Sequence, residues 1–246
     1  ARQTIVTQGF IGRGLNHKNT TLGREGSDYT AAIFAYALDA ESVTIWKDVE
    51  GVMNADPRKF ENAVLIDKLS YNEAIELAYY GASVIHPKTI QPLKNKKIPL
   101  YVKSFLDPSK PGTVVMENDN FALNDIQCYI VKEYQSMVTI ATKDFSFIVE
   151  DNLELIFSAL NKAGIQLNMM QNSAISFIGC YNEDTLKTEE LFALLADKFE
   201  VSLAKDNTLL TVFNYNDGKS ELDLIIGLRR IRLEQKSNSA LQLLLN

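Results

Sequence analysis

The chain has 246 residues, 46% hydrophobic and 23% charged, a globular balance with enough length for more than one domain. A net charge of -6 argues against nucleic acid as the main partner, no apolar run is long enough to span a membrane, and the opening ARQTIVTQGF has no signal-peptide pattern. Two cysteines, Cys128 and Cys180, and two histidines, His17 and His86, make a disulfide framework and a zinc site improbable and fit a reducing, cytoplasmic setting. A magnesium ion held by carboxylates and substrate phosphates would leave almost no trace in sequence.

In chain order, Thr4 to Thr7 reads as a short strand opening into a loop at Gln8, Gly9 and Phe10. Thr20 to Asp28, TTLGREGSD, then sets two glycines around Arg24 and Glu25, with Ser27 and Asp28 where a helix would begin. Glycine permits positive φ and close approach to a ligand, and a helix N-terminus offers free N–H groups. That combination suits a phosphate or carboxylate, and Arg24 adds a fork for a carboxylate. A plain N-cap in a glycine-rich turn is the bland alternative. The spacing of Gly9, Gly12 and Gly14 is not the dinucleotide fingerprint, and no P-loop motif is present.

Tyr29 to Leu38 has helical periodicity and looks buried on more than one face. Ser42 to Trp46 reads as a strand of a parallel sheet covered on both sides. Beyond it, KDVEGVMNADPR (47–58) lies where ligand groups collect in open α/β sheets. Ser70 to Tyr80 is a helix with a Ser70/Glu73 capping box and Gly81 at its stop. A further helix starts at Pro87, with His86 structural, and Ile98 to Val102 is a strand.

Turn formers dominate Phe105 to Asn124 and mark a boundary between domains. Past it come a strand Met137–Thr142, a helix 151–163, strands 165–171 and 174–181, a helix 185–198 and a strand 199–204. This is the βαββαβ order of ferredoxin-like folds. A shorter copy follows, with strands 209–215, 231–234 and 240–245 around a helix Glu221–Leu228, and Gln127–Glu133 is a strand available to complete its sheet. The expected domains are 1–118, 125–205 and 206–246. The overall class is α/β.

Several stretches together carry a resemblance: VTQGFIG (6–12), TTLGREGSDYTAA (20–32), VTIWKDVEGVMNADPR (43–58), LSYNEAIELAYYGASVIHP (69–87), IPLYVKSF (98–105) and PGT (111–113). The chain resembles the aspartate kinases, which have an amino-acid kinase fold followed by ACT domains. The resemblance implies a parallel-rich sheet between helices, followed by ferredoxin-like regulatory domains. It also implies transfer of the ATP γ-phosphoryl group, with Mg2+, to the side-chain carboxylate of L-aspartate, giving 4-phospho-L-aspartate, the first step of lysine, threonine and methionine biosynthesis.

On the same grounds Phe10, Arg24, Ser27 and Asp28 would line the aspartate site. Arg24 would grip a carboxylate, and Asp28 would orient the amino group and serve the reaction centre. Lys47, Asp48, Met53 and Arg58, with Ser83 and Val84, match the nucleotide-binding segments. Many relatives have threonine at Lys47, an aromatic at Met53 and a nucleotide-contacting lysine near Ser83. Glu25 stands where glycine is common. The family's K-F-G-G-T-S motif is absent, so the chain reads as a fragment inactive alone. Gln166, Leu167, Asn168, Asn172 and Ser173 are candidate contacts for a lysine or threonine effector, and the ACT part implies a homodimer. The alternative is a non-catalytic regulatory subunit that senses an amino acid.

Overall fold

The computed structural model describes residues 3–82, 84–117, 123, 126–144, 146–216 and 225–246. It divides into two compact units, one formed by residues 1–130 and 213–216, the other by 131–212 and 217–246. The division thus falls at residue 130 instead of 118. The two expected C-terminal copies, 125–205 and 206–246, share one sheet. Ser83 and most of the expected helix Glu221–Leu228 lie outside the described residues.

The first unit opens differently from the sequence reading. Thr4–Thr7 is not a strand, and Ile5 and Val6 are almost fully exposed. β-propensity without a neighbouring strand secures nothing. Instead β1 (Ile11–Arg13) and β2 (Asn19–Thr21) form a small antiparallel hairpin. Helix α1 (Gly26–Ala37) follows, then β3 (Val43–Lys47), β4 (Lys68–Ser70), α2 (Tyr71–Tyr80), α3 (Pro87–Lys96), β5 (Leu100–Ser104) and β6 (Thr113–Met116).

These four strands form one sheet in the order β3-β5-β6-β4. β3 runs parallel to β5, β5 antiparallel to β6, and β4 parallel to β6. Val43 and Ile45 are buried while Thr44 and Trp46 are exposed, so within this chain one face of β3 is covered, not both. Helix α1 behaves likewise: Ala32 and Ala35 are buried, yet Ile33, Phe34 and Tyr36 are exposed. It packs on α3, which covers one side only. The expectation of burial on several faces is corrected on this point.

The capping signals are realised in full at α2. Ser70 Oγ accepts from Glu73 N at 3.2 Å, and Glu73 Oε2 accepts from Ser70 N at 2.7 Å. Glu73 is buried, and its second oxygen takes the N–H of Leu123 at 3.1 Å. Gly81, at φ 118°, closes the helix by donating to Leu77 and Ala78 carbonyls. At α3, His86 caps the helix through Nδ1, accepting from Lys88 N at 3.1 Å, and Pro87 starts it, so the histidine is structural as expected.

Next in the chain β7 (Cys128–Thr142), α4 (Glu150–Lys162), β8 (Leu167–Asn172), β9 (Ser176–Asn182), α5 (Thr185–Leu195) and β10 (Phe199–Phe213) follow in β-α-β-β-α-β order, residues 131–212 of this run forming most of the second unit. β11 (Ile231–Lys236) and β12 (Ala240–Leu245) extend the sheet to β11-β12-β10-β7-β9-β8. Two pairs of short predicted strands are therefore single fifteen-residue strands, β7 and β10. Each contains one left-handed residue, Tyr134 (φ 53°) and Asp206 (φ 58°). Beside them Asn207 Nδ2 donates to the carbonyls of Gln135 and Ala204, satisfying backbone groups that the kinks release. Alternation on β9 sends Phe177 and Tyr181 into the core under α4 and α5, and Cys180 into a second cluster with Met169, Leu209 and Leu244.

Both cysteines are free and buried. Burial pushes the thiols of Cys128 and Cys180 up to about 12. We expect neither to react with a thiol reagent at pH 8 until the chain is unfolded. Labelling counted by mass with and without denaturant checks this. Because these folded-state values are raised, the stability gained by keeping the thiols neutral is intact below about pH 8.5 and declines as pH rises above it. Among the described residues no helix is long and apolar enough to cross a membrane.

Candidate active site

The site is built where the β1–β2 hairpin meets the start of α1. Phe10 is held in the left-handed region (φ 73°), with its N–H donating to Thr30 Oγ1 at 3.0 Å and its carbonyl accepting from Leu22 N at 2.9 Å. Thr30 Oγ1 in turn donates to the Gly26 carbonyl at 2.8 Å. The Phe10 ring lies against Gly26, where an added Cβ would come within 2.8 Å of it. Gly26 is therefore required by this close approach, not by its own dihedral angles.

Helix α1 begins at Gly26, so Ser27 and Asp28 sit inside its first turn and do not precede it. Its N-cap is Glu25, left-handed at φ 54°, and no side chain caps the helix. One carboxylate oxygen of Glu25 is buried without a hydrogen-bond partner among the described residues. A non-glycine residue in this conformation stores strain, and such positions cluster at functional sites. Glu25→Gly removes both costs. It should raise the stability of the first unit by about 1 kcal/mol, read as a higher denaturant midpoint at unchanged slope.

Arg24 is exposed and makes no ion pair or hydrogen bond among the described residues. Its guanidinium is available to a ligand. Ser27 is exposed, and Asp28 is half-buried. The decisive contact joins two groups that the sequence assigned to separate subsites. Lys47 Nζ lies 2.9 Å from Asp28 Oδ2, with side-chain exposures of 21% and 17%. Lys47 is the last residue of β3, at the carboxyl end of the parallel pair β3·β5, and Asp28 is the one acid in the first turn of α1.

The remainder of the loop is anchored by residues that motif reading did not single out for this role. Thr113 Oγ1 accepts from Val52 N at 2.8 Å and donates to the Ile66 carbonyl at 2.7 Å. Gly51 lies so close that a Cβ would fall 2.5 Å from the same hydroxyl. The PGT and EGV triplets therefore fasten one another. Among the expected nucleotide residues, Asp48 is exposed and Met53 half-buried, in an isolated bridge with Leu65. Arg58 is largely exposed and forks onto Asp56, with Nε–Oδ1 3.0 Å and Nη2–Oδ2 2.8 Å. That hydrogen bond holds the Asp56 carboxyl below its usual range. Val84 is half-buried before the α3 cap. No group of three or more His, Cys, Asp or Glu side chains suited to a metal occurs among the described residues.

In the second unit the candidate effector residues spread along the whole of β8. Gln166 lines a cleft of about 310 Å³ with Gly164, Ile165, Tyr181, Asn182 and Lys187. Asn172 and Ser173 stand at the other end of the strand, roughly 20 Å away at the rise of an extended chain. Asn168 is spent in a network: Lys132 Nζ donates to its Oδ1 at 2.8 Å, and its Nδ2 donates to Gln135 and Asn182, each at 2.8 Å. Burial holds the Lys132 ammonium below its usual value. Within one chain these residues do not form one small-molecule site. Leu167, beside the β8–β9 irregularity, packs toward the helix-side core.

Residues 1–104 match the model of the amino acid kinase family. Over these residues the chain is similar to that family. Curated relatives include a chloroplastic bifunctional aspartokinase/homoserine dehydrogenase 2 of Zea mays, 34% identical over 206 residues, which cover 82% of this chain and 22% of the relative. Lysine-sensitive aspartokinase 3 of Escherichia coli is 32% identical over 88% of this chain and 49% of its own length. A solved structure of E. coli aspartokinase III with aspartate and ADP superposes with a TM-score of 0.77 at 29% identity, covering 97% of this chain and 56% of that one. The same protein with lysine and aspartate gives 0.75 at 30%, covering 96% and 55%. The chain thus spans about half the length of these aspartokinases, and less of the bifunctional relatives.

Proposed function

We propose that this chain belongs to an aspartate kinase that phosphorylates the side-chain carboxylate of L-aspartate with ATP. The observation that carries the reading is an exposed Arg24, unpaired among the described residues, directly before the N-cap of α1, whose first turn holds Ser27 and the Asp28 that pairs with Lys47. Arg24 would hold a substrate carboxylate through paired hydrogen bonds, and the N–H groups of the first turn would favour the same charge. Asp28 would take the substrate ammonium. The Lys47–Arg58 loop, at the carboxyl end of β3, would face the nucleotide. Mg2+ would be held mainly by the nucleotide phosphates, with Asp48 as an exposed carboxylate at the strand end, and when bound it would neutralise phosphate charge.

The second unit, with its β-α-β-β-α-β order, supports the reading of an ACT-type regulatory part that pairs two copies of the chain and responds to lysine or threonine. A reducing cytoplasmic location fits the two buried free thiols.

A coupled assay for ADP release tests the activity. The full-length protein containing this chain should turn over with L-aspartate, ATP and Mg2+. These 246 residues, which hold no K-F-G-G-T-S lysine, should not. No L-aspartate-dependent turnover by the full-length protein overturns the activity, and robust turnover by the 246 residues overturns the incompleteness. Calorimetric titration with lysine, threonine and methionine tests the sensor; no heat with any of them removes it.

A further inference from the structure

Asp28 already holds an ammonium, that of Lys47 at 2.9 Å, and the pair is about one-fifth exposed. If Asp28 takes the amino group of the substrate, as proposed above, the incoming ammonium meets a like charge on the same carboxylate. Two cations sharing one acceptor in a partly desolvated site repel, so one is displaced. The backbone of Lys47 cannot yield, because its carbonyl accepts from Phe105 N at 2.9 Å and β3 is in register with β5. Only the side chain can move, and its four-carbon stem allows several ångströms of travel. Arg58, on the same loop, is committed to Asp56 by two bonds. The carboxyl ends of parallel strands are where ligands bind in such sheets, which puts nucleotide phosphates within the sweep of Lys47.

We propose that Lys47 is a tethered stand-in for the substrate ammonium, holding Asp28 while the amino-acid site is empty and swinging to the nucleotide phosphates when the amino acid displaces it. The inference rests on the reading of Asp28 as the amino-group acceptor. Its consequence is coupling: the amino acid frees a cation for the nucleotide, and by linkage the nucleotide favours the amino acid to the same degree. While the amino-acid site is empty, the pair spares the half-buried Asp28 an uncompensated charge.

The test uses the full-length protein containing this chain, as wild type, Lys47→Met and Lys47→Arg. L-aspartate and ADP are titrated calorimetrically, each alone and each in the presence of the other, with kcat and KM in parallel. Lys47→Met should bind L-aspartate alone about threefold tighter, bind ADP about tenfold weaker, and lose the coupling between them. Lys47→Arg, whose planar fork grips Asp28 with two bonds, should bind L-aspartate more weakly than wild type. Unchanged or weakened L-aspartate binding in Lys47→Met overturns the proposal, as does coupling that persists. Parallel loss of both ligands with a lowered Tm marks a merely structural pair and overturns it too. A wild type that binds both ligands without transferring phosphoryl refutes the proposed activity alone, and the binding data still decide on Lys47.

Discussion

Asp28→Asn in the full-length protein is expected to lower kcat/KM for L-aspartate about 100-fold or more, with little change in stability. The amide keeps the shape of the side chain but cannot neutralise an ammonium. Truncating one partner of a partly desolvated charge pair typically costs a few kcal/mol, because the other charge is left uncompensated. Here the loss falls on both cations that use the carboxylate, Lys47 and the substrate amino group. Stability should change by no more than about 1 kcal/mol, since the pair retains access to water. Steady-state kinetics and a denaturant titration of the same preparation separate the two. A kcat/KM within a factor of three of wild type would remove Asp28 from the substrate site, and with it the interpretation of its contact with Lys47.

The second large effect concerns Gly112. Its φ is 72°, and a Cβ there would lie 2.1 Å from the carbonyl oxygen of Val102 and 3.1 Å from Lys103 Cγ. Backbone cannot be cleared from that space by a rotamer change. Gly112→Ala must therefore shift the β5–β6 turn and disturb neighbouring Thr113, whose hydroxyl fastens Val52 and Ile66. We expect a loss of about 4 kcal/mol or more, a fall in Tm on the order of 10 °C, and a floppy nucleotide loop. Gly23→Ala is the control. It has nearly the same dihedral, φ 80°, but nothing stands within 4 Å of the added atom. It should cost only the left-handed penalty of about 1 kcal/mol. Equal Tm losses for the two variants would show that dihedral strain, not contact with Val102, governs position 112.

These expectations separate what is local from what is not. Ser70, Glu73 and Gly81 bound a helix through interactions within a few residues, and α2 begins and ends on them. Proline at the start of α3 acts in the same local way. Along β9 the alternation of side chains sends Phe177 and Tyr181 into the core beneath the helices. Long strands were less legible. Tyr134 and Asp206 carry left-handed kinks that look like strand ends in a one-dimensional pattern, yet β7 and β10 run straight through them in the sheet. Thr4–Thr7 failed in the opposite sense, because strand propensity has no consequence without a partner strand.

In the site, the amino-acid sequence by itself determined which chemistry is present: a guanidinium in a glycine-bounded loop, a carboxylate in the opening turn of a helix, and a cation after an apolar strand. Family likeness named Arg24, Asp28 and Lys47 but divided them between two ligands. Only the tertiary structure decided that Asp28 and Lys47 touch, that Arg24 is exposed and unpaired among the described residues, and that Gly112 and Thr113 hold the loop between them. The reason is physical. Hydrogen bonds within a turn or along a helix are specified by neighbours in the chain. The meeting of a helix start with a strand end nineteen positions away is set by how α1, the hairpin and the parallel pair β3·β5 pack, and no local pattern encodes that distance.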